Sequence, residues 1–329
     1  MYTPRKLAST LLTMLLFSGA TLADDDHIPT YAVTKTFTAD GKPHFPALNS
    51  KTNRLYASDV STGTVTMFNA QTGAILKETA TGAGAHSVFV DVKNDLVYVT
   101  NRGANTLSIL AGATNAKIID IPVGTQPHGF ALDNKKNLAY VSNTGSNNVT
   151  VIDLATRKVI RTLIAGVAPW GVALDTRKNL LYTSNTGEGT VSRIDLATGA
   201  TLAKVTVGGR PWNVRVSKEN HRAYVTNEAS GAVDVIGNDR VIATILVGLA
   251  PHGLVVNDEA KLVFAAATGS NQVAVINMEN NTVIQTVPVG TGPTAIATDK
   301  KGRVIYVANQ TGGTVSVLNV IEEDDEDED

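Results

Sequence analysis

The chain has 329 residues, 43% of them hydrophobic and 5% aromatic, with a formal net charge of −2. That is ample apolar material for a large core. It contains no cysteine, which excludes disulfides, thiolate metal sites and lipid attachment through cysteine.

Residues 1–23 read as a secretory signal peptide. Arg5 and Lys6 form a basic start, residues 7–17 a short apolar run, and Thr21, Leu22 and Ala23 a small-residue cleavage site. The run is too short, and too interrupted by Ser and Thr, for a membrane span, and no later segment qualifies. The expected product is soluble and monomeric, in the periplasm or secreted. Residues 24–32 form an acidic N-terminal segment opened by Asp24, Asp25 and Asp26. Residues 321–329 are an acidic tail with a composition that favours disorder. Between these ends the body carries about seven more basic than acidic residues.

From residue 33 to residue 320 one unit repeats. Its anchors are Tyr56, Tyr98, Tyr140, Tyr182, Tyr224, Phe264 and Tyr306, separated by 42, 42, 42, 42, 40 and 42 residues. In the third copy, residues 127–133, 138–143, 149–153 and 159–164 are runs rich in β-branched residues, separated by Gly, Asn and Asp turns. Helical periodicity is absent. Four antiparallel strands repeated seven times give an all-β chain, a seven-bladed β-propeller. The short fifth period falls at Gly237-Asn238-Asp239-Arg240, a turn between third and fourth strands, where deletion is tolerated. The seventh copy ends after its third strand. Residues 33–37 match residues 159–163 in phase, so the N-terminal strand is expected to complete the last blade and close the ring.

The runs YVTN (98–101), YVSN (140–143), YTSN (182–185), YVTN (224–227) and YVAN (306–309) resemble the YVTN-repeat β-propeller family, and in size and leader its YncE-like periplasmic members. The first and sixth copies depart from the motif, reading YASD (56–59) and FAAA (264–267). The resemblance implies a seven-bladed ring and offers single-stranded DNA as a partner. Related propellers include lactonases, lyases and copper-cluster reductase domains. The motif specifies fold far better than function.

Twelve residues before each anchor stand His44, His86, His128, Trp170, Trp212, His252 and Thr294. The first strand of a blade is innermost, so these seven residues should ring one mouth of the central channel. Pro43, Pro127, Pro169, Pro211, Pro251 and Pro293 fix the turn into it. Neutral imidazole is a ligand for zinc and copper, so His44, His86, His128 and His252 are the candidate metal ligands. The plainer reading is duplication, each histidine bonding only to a nearby loop. Trp170 and Trp212 have flat faces for a base, sugar or heterocycle, or simply plug the channel. Asn101 and Asn143 end second strands toward the same side, as ligand contacts or as loop braces. Asp59 replaces that Asn in the first copy and offers a carboxylate oxygen. Arg215 stands where other copies carry Ala47, Phe89, Ala131, Ala173, Val255 and Ala297. It is either an anion site or the partner of a local acid.

Asp91, Asp133, Asp175 and Asp299 end first strands at the opposite face and fit turn capping. Lysines and arginines such as Lys93, Lys135 and Lys178 make that face basic, and the acidic tail leaves the last blade toward it, either screening it or solubilising the chain. No GxSxG, P-loop or dinucleotide fingerprint is present. Three functions follow. The first is a binding or interaction protein holding a metal ion (zinc or copper), a small ligand or a protein partner at the His/Trp mouth. The second is single-stranded nucleic-acid binding. The third is a metal-dependent hydrolase, lyase or oxidoreductase.

Overall fold

The computed structural model describes residues 29–39 and 41–321. The signal peptide, the Asp24–Asp26 cluster and residues 322–329 lie outside the described residues. The described chain forms seven four-stranded antiparallel sheets, each built from consecutive strands except the last. The first, innermost strands are Pro43–Asn49, Ala85–Asp91, Pro127–Asp133, Pro169–Asp175, Pro211–Val216, Pro251–Asn257 and Pro293–Thr298. Blades are numbered one to seven in that order.

Each anchor aromatic is buried at the interface between its own blade and the next. Tyr56 packs with Ala85 and Val97 of blade two, Tyr98 with Phe130 and Ala139 of blade three, and Tyr306 with Leu55 and Phe68 of blade one. Seven such apolar layers make up the core. Two anchors also reach across with the phenol: Tyr56 Oη donates to Gly112 O of blade two at 2.6 Å, and Tyr306 Oη to Ala70 O of blade one at 3.2 Å. Burial is the main reason that the phenols of Tyr56 and Tyr98 are pushed up to about 12. The 42-residue beat is therefore the beat of the blade interfaces.

The ring closes as expected. Thr30–Thr38 pairs antiparallel with Thr314–Ile321 and supplies the outer strand of blade seven. It starts three residues earlier than the sequence suggested and carries a bulge between Val33 and Lys35. Its two buried ends grip opposite neighbours. Tyr31 meets Phe264 of blade six edge-on, with centroids 5.4 Å apart, and Phe37 packs on Phe68 of blade one at 5.6 Å. In blade five, Gly237 pairs with Arg240, leaving a two-residue turn with Asn238 and Asp239 at positive φ (50° and 59°). That tight turn accounts for the 40-residue period.

One polar motif recurs where the blades meet the channel. The innermost strand of each of the first five blades breaks its ladder just after its first residue; in blade three, for example, pairing jumps from Pro127 to Phe130. The amide freed there goes to a hydroxyl on the second strand. Ser87 N donates to Thr100 Oγ1 (3.1 Å), Gly129 N to Ser142 Oγ (2.9 Å), Gly171 N to Ser184 Oγ (2.8 Å) and Asn213 N to Thr226 Oγ1 (3.1 Å). Each hydroxyl then donates onward to the next blade: Thr100 to His128 O (2.8 Å), Ser142 to Trp170 O (2.5 Å), Ser184 to Trp212 O (2.5 Å) and Thr226 to His252 O (3.0 Å). Ser58 makes the same bridge from Phe45 N to His86 O. This is the role of the third letter of the YVTN motif.

Blades six and seven carry Ala266 and Ala308 at that position. There the break is one residue shorter: Gly253 pairs with Ala266 and Ala295 with Ala308, leaving only His252 and Thr294 out of the ladder. The seventh-to-first junction takes its hydroxyl from Thr294 instead, which donates to His44 O at 2.8 Å. At the sixth-to-seventh junction Gly253 lets the backbones approach, since a Cβ there would meet Ala295 Cα at 2.7 Å.

Replacing Thr100, which is fully buried, by valine keeps the shape but leaves the Ser87 amide and the His128 carbonyl unpaired. Urea unfolding is expected to show a loss of about 2 kcal/mol. A loss under about 0.5 kcal/mol means that the hydroxyl bridge is dispensable.

Candidate functional site

The bulge at the start of each innermost strand turns one side chain into the channel, and in all but Thr294 a hydroxyl bridge fixes that residue's carbonyl. The side chains so held are those picked out twelve residues before each anchor. Six form an unbroken chain of ring contacts. Centroid separations are 4.4 Å for His44–His86, 4.2 Å for His86–His128, 3.7 Å for His128–Trp170, 4.0 Å for Trp170–Trp212 and 4.2 Å for Trp212–His252. Thr294 completes the circle. His86 and His128 are buried, and His44, Trp170, Trp212 and His252 are partly exposed. The rings close this end of the channel, and behind them lies a cavity of about 40 Å³, room for a few waters.

Burial is the main cause holding all four imidazoles below their usual range. His44 falls to about 4, helped by the neighbouring His252. His86 is well below, with His128, His44 and Arg102 adding to burial, and His128 likewise, with Arg102 and His44. His252 is lowered by burial against the opposing pull of Glu228. At neutral pH the four rings are uncharged. Several of their nitrogens are buried without a hydrogen-bond partner: His44 Nδ1, both nitrogens of His128, and His252 Nε2.

Around this plug stands a charged rim. Trp212 Nε1 donates to Glu228 Oε2 at 2.5 Å, Arg210 Nη1 lies 3.0 Å from the same oxygen, and His252 Nε2 lies 3.8 Å from Oε1. The Arg210 guanidinium is 5.8 Å from the Trp212 ring centroid, and that of Arg102 is 5.9 Å from Trp170. Sequence reasoning missed Arg102, Glu228 and Arg210. The repeat could have found them: Arg102 and Glu228 directly follow the Asn of the motif, where other blades carry Val60, Thr144, Thr186, Thr268 and Gln310, and Arg210 directly precedes Pro211.

Asn101 and Asn143 are fully buried. The Asn101 amide donates to Thr106 and Ser108, and that of Asn143 to Asn148 and Thr150, all in their own blades. Their carbonyl oxygens have no partner. Asp59 is likewise occupied. Burial pushes its carboxyl up, but bonds from Ser61, Lys42 and Thr62 outweigh that and hold it below its usual range. Asp91, Asp133 and Asp175 cap turns as expected, each accepting from the backbone two and three residues on. The remaining described histidine, His221, pairs with Asp175 at 2.7 Å, away from the ring. Arg215 lines the far side of the cavity behind the plug and has no carboxylate partner among the described residues.

In donor type the histidines suit a zinc or copper ion. Their present orientation is that of stacked rings. With Zn–N bonds of about 2.0–2.1 Å, two ligating imidazoles on a tetrahedral ion have centroids about 5 Å apart, so the observed 4.2–4.4 Å requires side-chain rotation. Among the described residues no three His, Asp or Glu side chains already converge on one point.

The imidazoles also set a pH dependence. His44 has a folded pKa of about 4 against 6.5 unfolded, so its contribution to stability is whole above pH 6.5 and is lost as pH falls through 4. The difference amounts to at most about 3 kcal/mol. Thermal melting between pH 7.5 and 4 is expected to fall more steeply for the native chain than for His44→Phe. Parallel curves contradict the burial of a neutral ring.

Comparison with known proteins agrees with this architecture. Residues 64–178 match the family model for the YNCE-like β-propeller, and residues 172–326 that for the seven-bladed β-propeller lactonase. No curated protein matches the chain. Among solved structures, a chain of Kuenenia stuttgartiensis hydrazine synthase is similar in fold, with a TM-score of 0.76 at 20% identity, covering 87% of this chain and 98% of that one. No helix among the described residues is long and apolar enough to cross a membrane. The chain is a seven-bladed β-propeller, with repeats that match the YNCE-like model in its first half and the lactonase propeller model in its second.

Proposed function

We propose that this protein is a ligand-binding propeller that takes its ligand at the His/Trp mouth, and that the ligand satisfies the buried imidazole nitrogens. The observation that carries this reading is the set of neutral histidines whose nitrogens, at His44 Nδ1 and at His128 Nδ1 and Nε2, lack a partner. Buried polar atoms of that kind are rare unless water, an ion or a ligand completes them. Neutral imidazole needs no proton removed before it binds a zinc or copper ion, and rotating the three adjacent rings of His44, His86 and His128 would bring their nitrogens toward one centre. A small molecule rich in N–H or O–H donors would meet the same nitrogens once the rings turn aside. The basic and apolar segment over residues 1–23 supports a periplasmic or secreted setting for a single propeller chain.

Single-stranded nucleic acid is the second reading. Two guanidiniums stand over two tryptophans at one face; Arg102, with no carboxylate partner among the described residues, can meet a phosphate while the indoles stack on bases. Trp170 and Trp212 are the only tryptophans in the chain, so tryptophan fluorescence, excited apart from the tyrosines, reports on this mouth alone.

Titration of Zn(II), Cu(II) and an oligothymidylate against that fluorescence separates the readings. The first reading predicts a saturable change with one metal per chain, weakened at least tenfold in His44→Gln and in His86→Gln. It also predicts little effect of the oligonucleotide at physiological salt. The second predicts the converse: a response to the oligonucleotide that falls steeply with salt and weakens in Arg102→Ala. No response to either metal, with folding intact, sinks the metal form of the proposal.

A further inference from the structure

Arg215 lies at the neck of the channel, beyond the aromatic plug. Its wall is lined on one side by the 40 Å³ cavity and on the other by a wider cavity of about 330 Å³ opening at the opposite mouth. Four blades carry alanine at this position, Ala47, Ala131, Ala173 and Ala297, so the long side chain enters space that its counterparts leave empty. Its Nη1 donates to Asn213 Oδ1 at 2.8 Å and to Val214 O at 3.0 Å, both neutral acceptors. Among the described residues no carboxylate pairs with it. Asp133 also borders the wider cavity, but its Oδ1 already accepts from the Lys135 and Lys136 amides. Burial alone draws the guanidinium down to about 10, which leaves it a cation at neutral pH.

Arg215 is partly exposed to the wider cavity, and a guanidinium that faces a cavity without a counter-charge is ready to pair with an anion. The surroundings specify what kind. Phe89, Phe130, Leu132 and Val216 give the wider cavity apolar walls, and Lys135 and Lys218 stand at its rim. A planar fork at the end of an apolar chamber matches a carboxylate on an apolar body, since guanidinium binds carboxylate through two parallel bonds. We propose that the channel holds a second site, entered from the mouth opposite the His/Trp ring, in which Arg215 binds the carboxylate of a small apolar organic acid.

This inference does not rest on the ligand reading of the His/Trp mouth, and calorimetry with organic acids separates the two. Benzoate, acetate and sulfate are titrated into the native protein, Arg215→Ala and Arg215→Lys. Benzoate is expected to bind the native protein, at least tenfold more tightly than acetate, and sulfate not to compete with it. Arg215→Ala should weaken benzoate tenfold or more, and Arg215→Lys should give an intermediate loss, keeping the charge without the fork. Without ligand, Arg215→Ala should melt no lower than the native chain, because alanine is the residue of four other blades; benzoate should raise the melting temperature of the native chain only. The proposal is overturned if benzoate does not bind, if it binds Arg215→Ala as well as the native chain, or if sulfate binds as tightly as benzoate. Failure of Arg215→Ala to fold also overturns it, because the arginine is then structural.

Discussion

The hydroxyl of the second strand is the interaction on which the channel depends. It accepts an amide from its own blade and donates to the carbonyl of the next, so one atom both repairs a broken ladder and spaces two blades. Without the break the strand would stay regular, and the residue behind the break would not turn inward. The same device that joins neighbouring blades therefore aims the ring residue. This fixes the ring residue's backbone while leaving its side chain free to vary, which is why one position can hold histidine, tryptophan or threonine without change of fold. Thr294 shows the limit of that freedom. Blade seven lacks the second-strand hydroxyl at Ala308, and the ring residue itself supplies the bridge to His44.

Apolar layers and polar bridges divide the work by radius. Each anchor aromatic seals the middle of an interface, where its ring is out of water, and the hydroxyls act nearer the axis, where a continuous apolar contact would leave amides unpaired. Closure uses the same elements. The N-terminal strand brings Tyr31 to blade six and Phe37 to blade one, so the last blade is held from both flanks. The rigid circle that results keeps six rings in contact at one end of the channel and a lone guanidinium in its neck.

Much of this was legible in the sequence because repetition aligns positions. The spacing of Tyr56 through Tyr306 led to seven blades, the closing strand and the positions of His44, His86, His128, Trp170, Trp212 and His252. The shortened turn at Asn238-Asp239 was also visible. The purpose of the motif's third letter was not, because Ser and Thr are ordinary strand residues and the bridge spans two blades. A plug was open to Trp170 and Trp212 from the sequence, but the stacking of the histidines into it was not visible, because it depends on side-chain directions that spacing does not carry. Arg102, Arg210 and Glu228 were overlooked because loop charges usually face solvent, whereas these three gather over the two tryptophans. Asn101 and Asn143 suit a structural role better than ligand contact in the sequence, with loop backbone as the expected partner; the structure places both amides on strand side chains of their own blades.

The central claim is that four neutral imidazoles at one mouth await a ligand. Nitrogen-15 NMR of the histidine rings tests it most directly, because it reads tautomer, protonation and ligation ring by ring. At pH 7 the account predicts that His44, His86, His128 and His252 are neutral, and that adding Zn(II) shifts nitrogens of the ring histidines while leaving His221 unmoved. Protonated rings at pH 7, or a zinc response confined to His221, would contradict it.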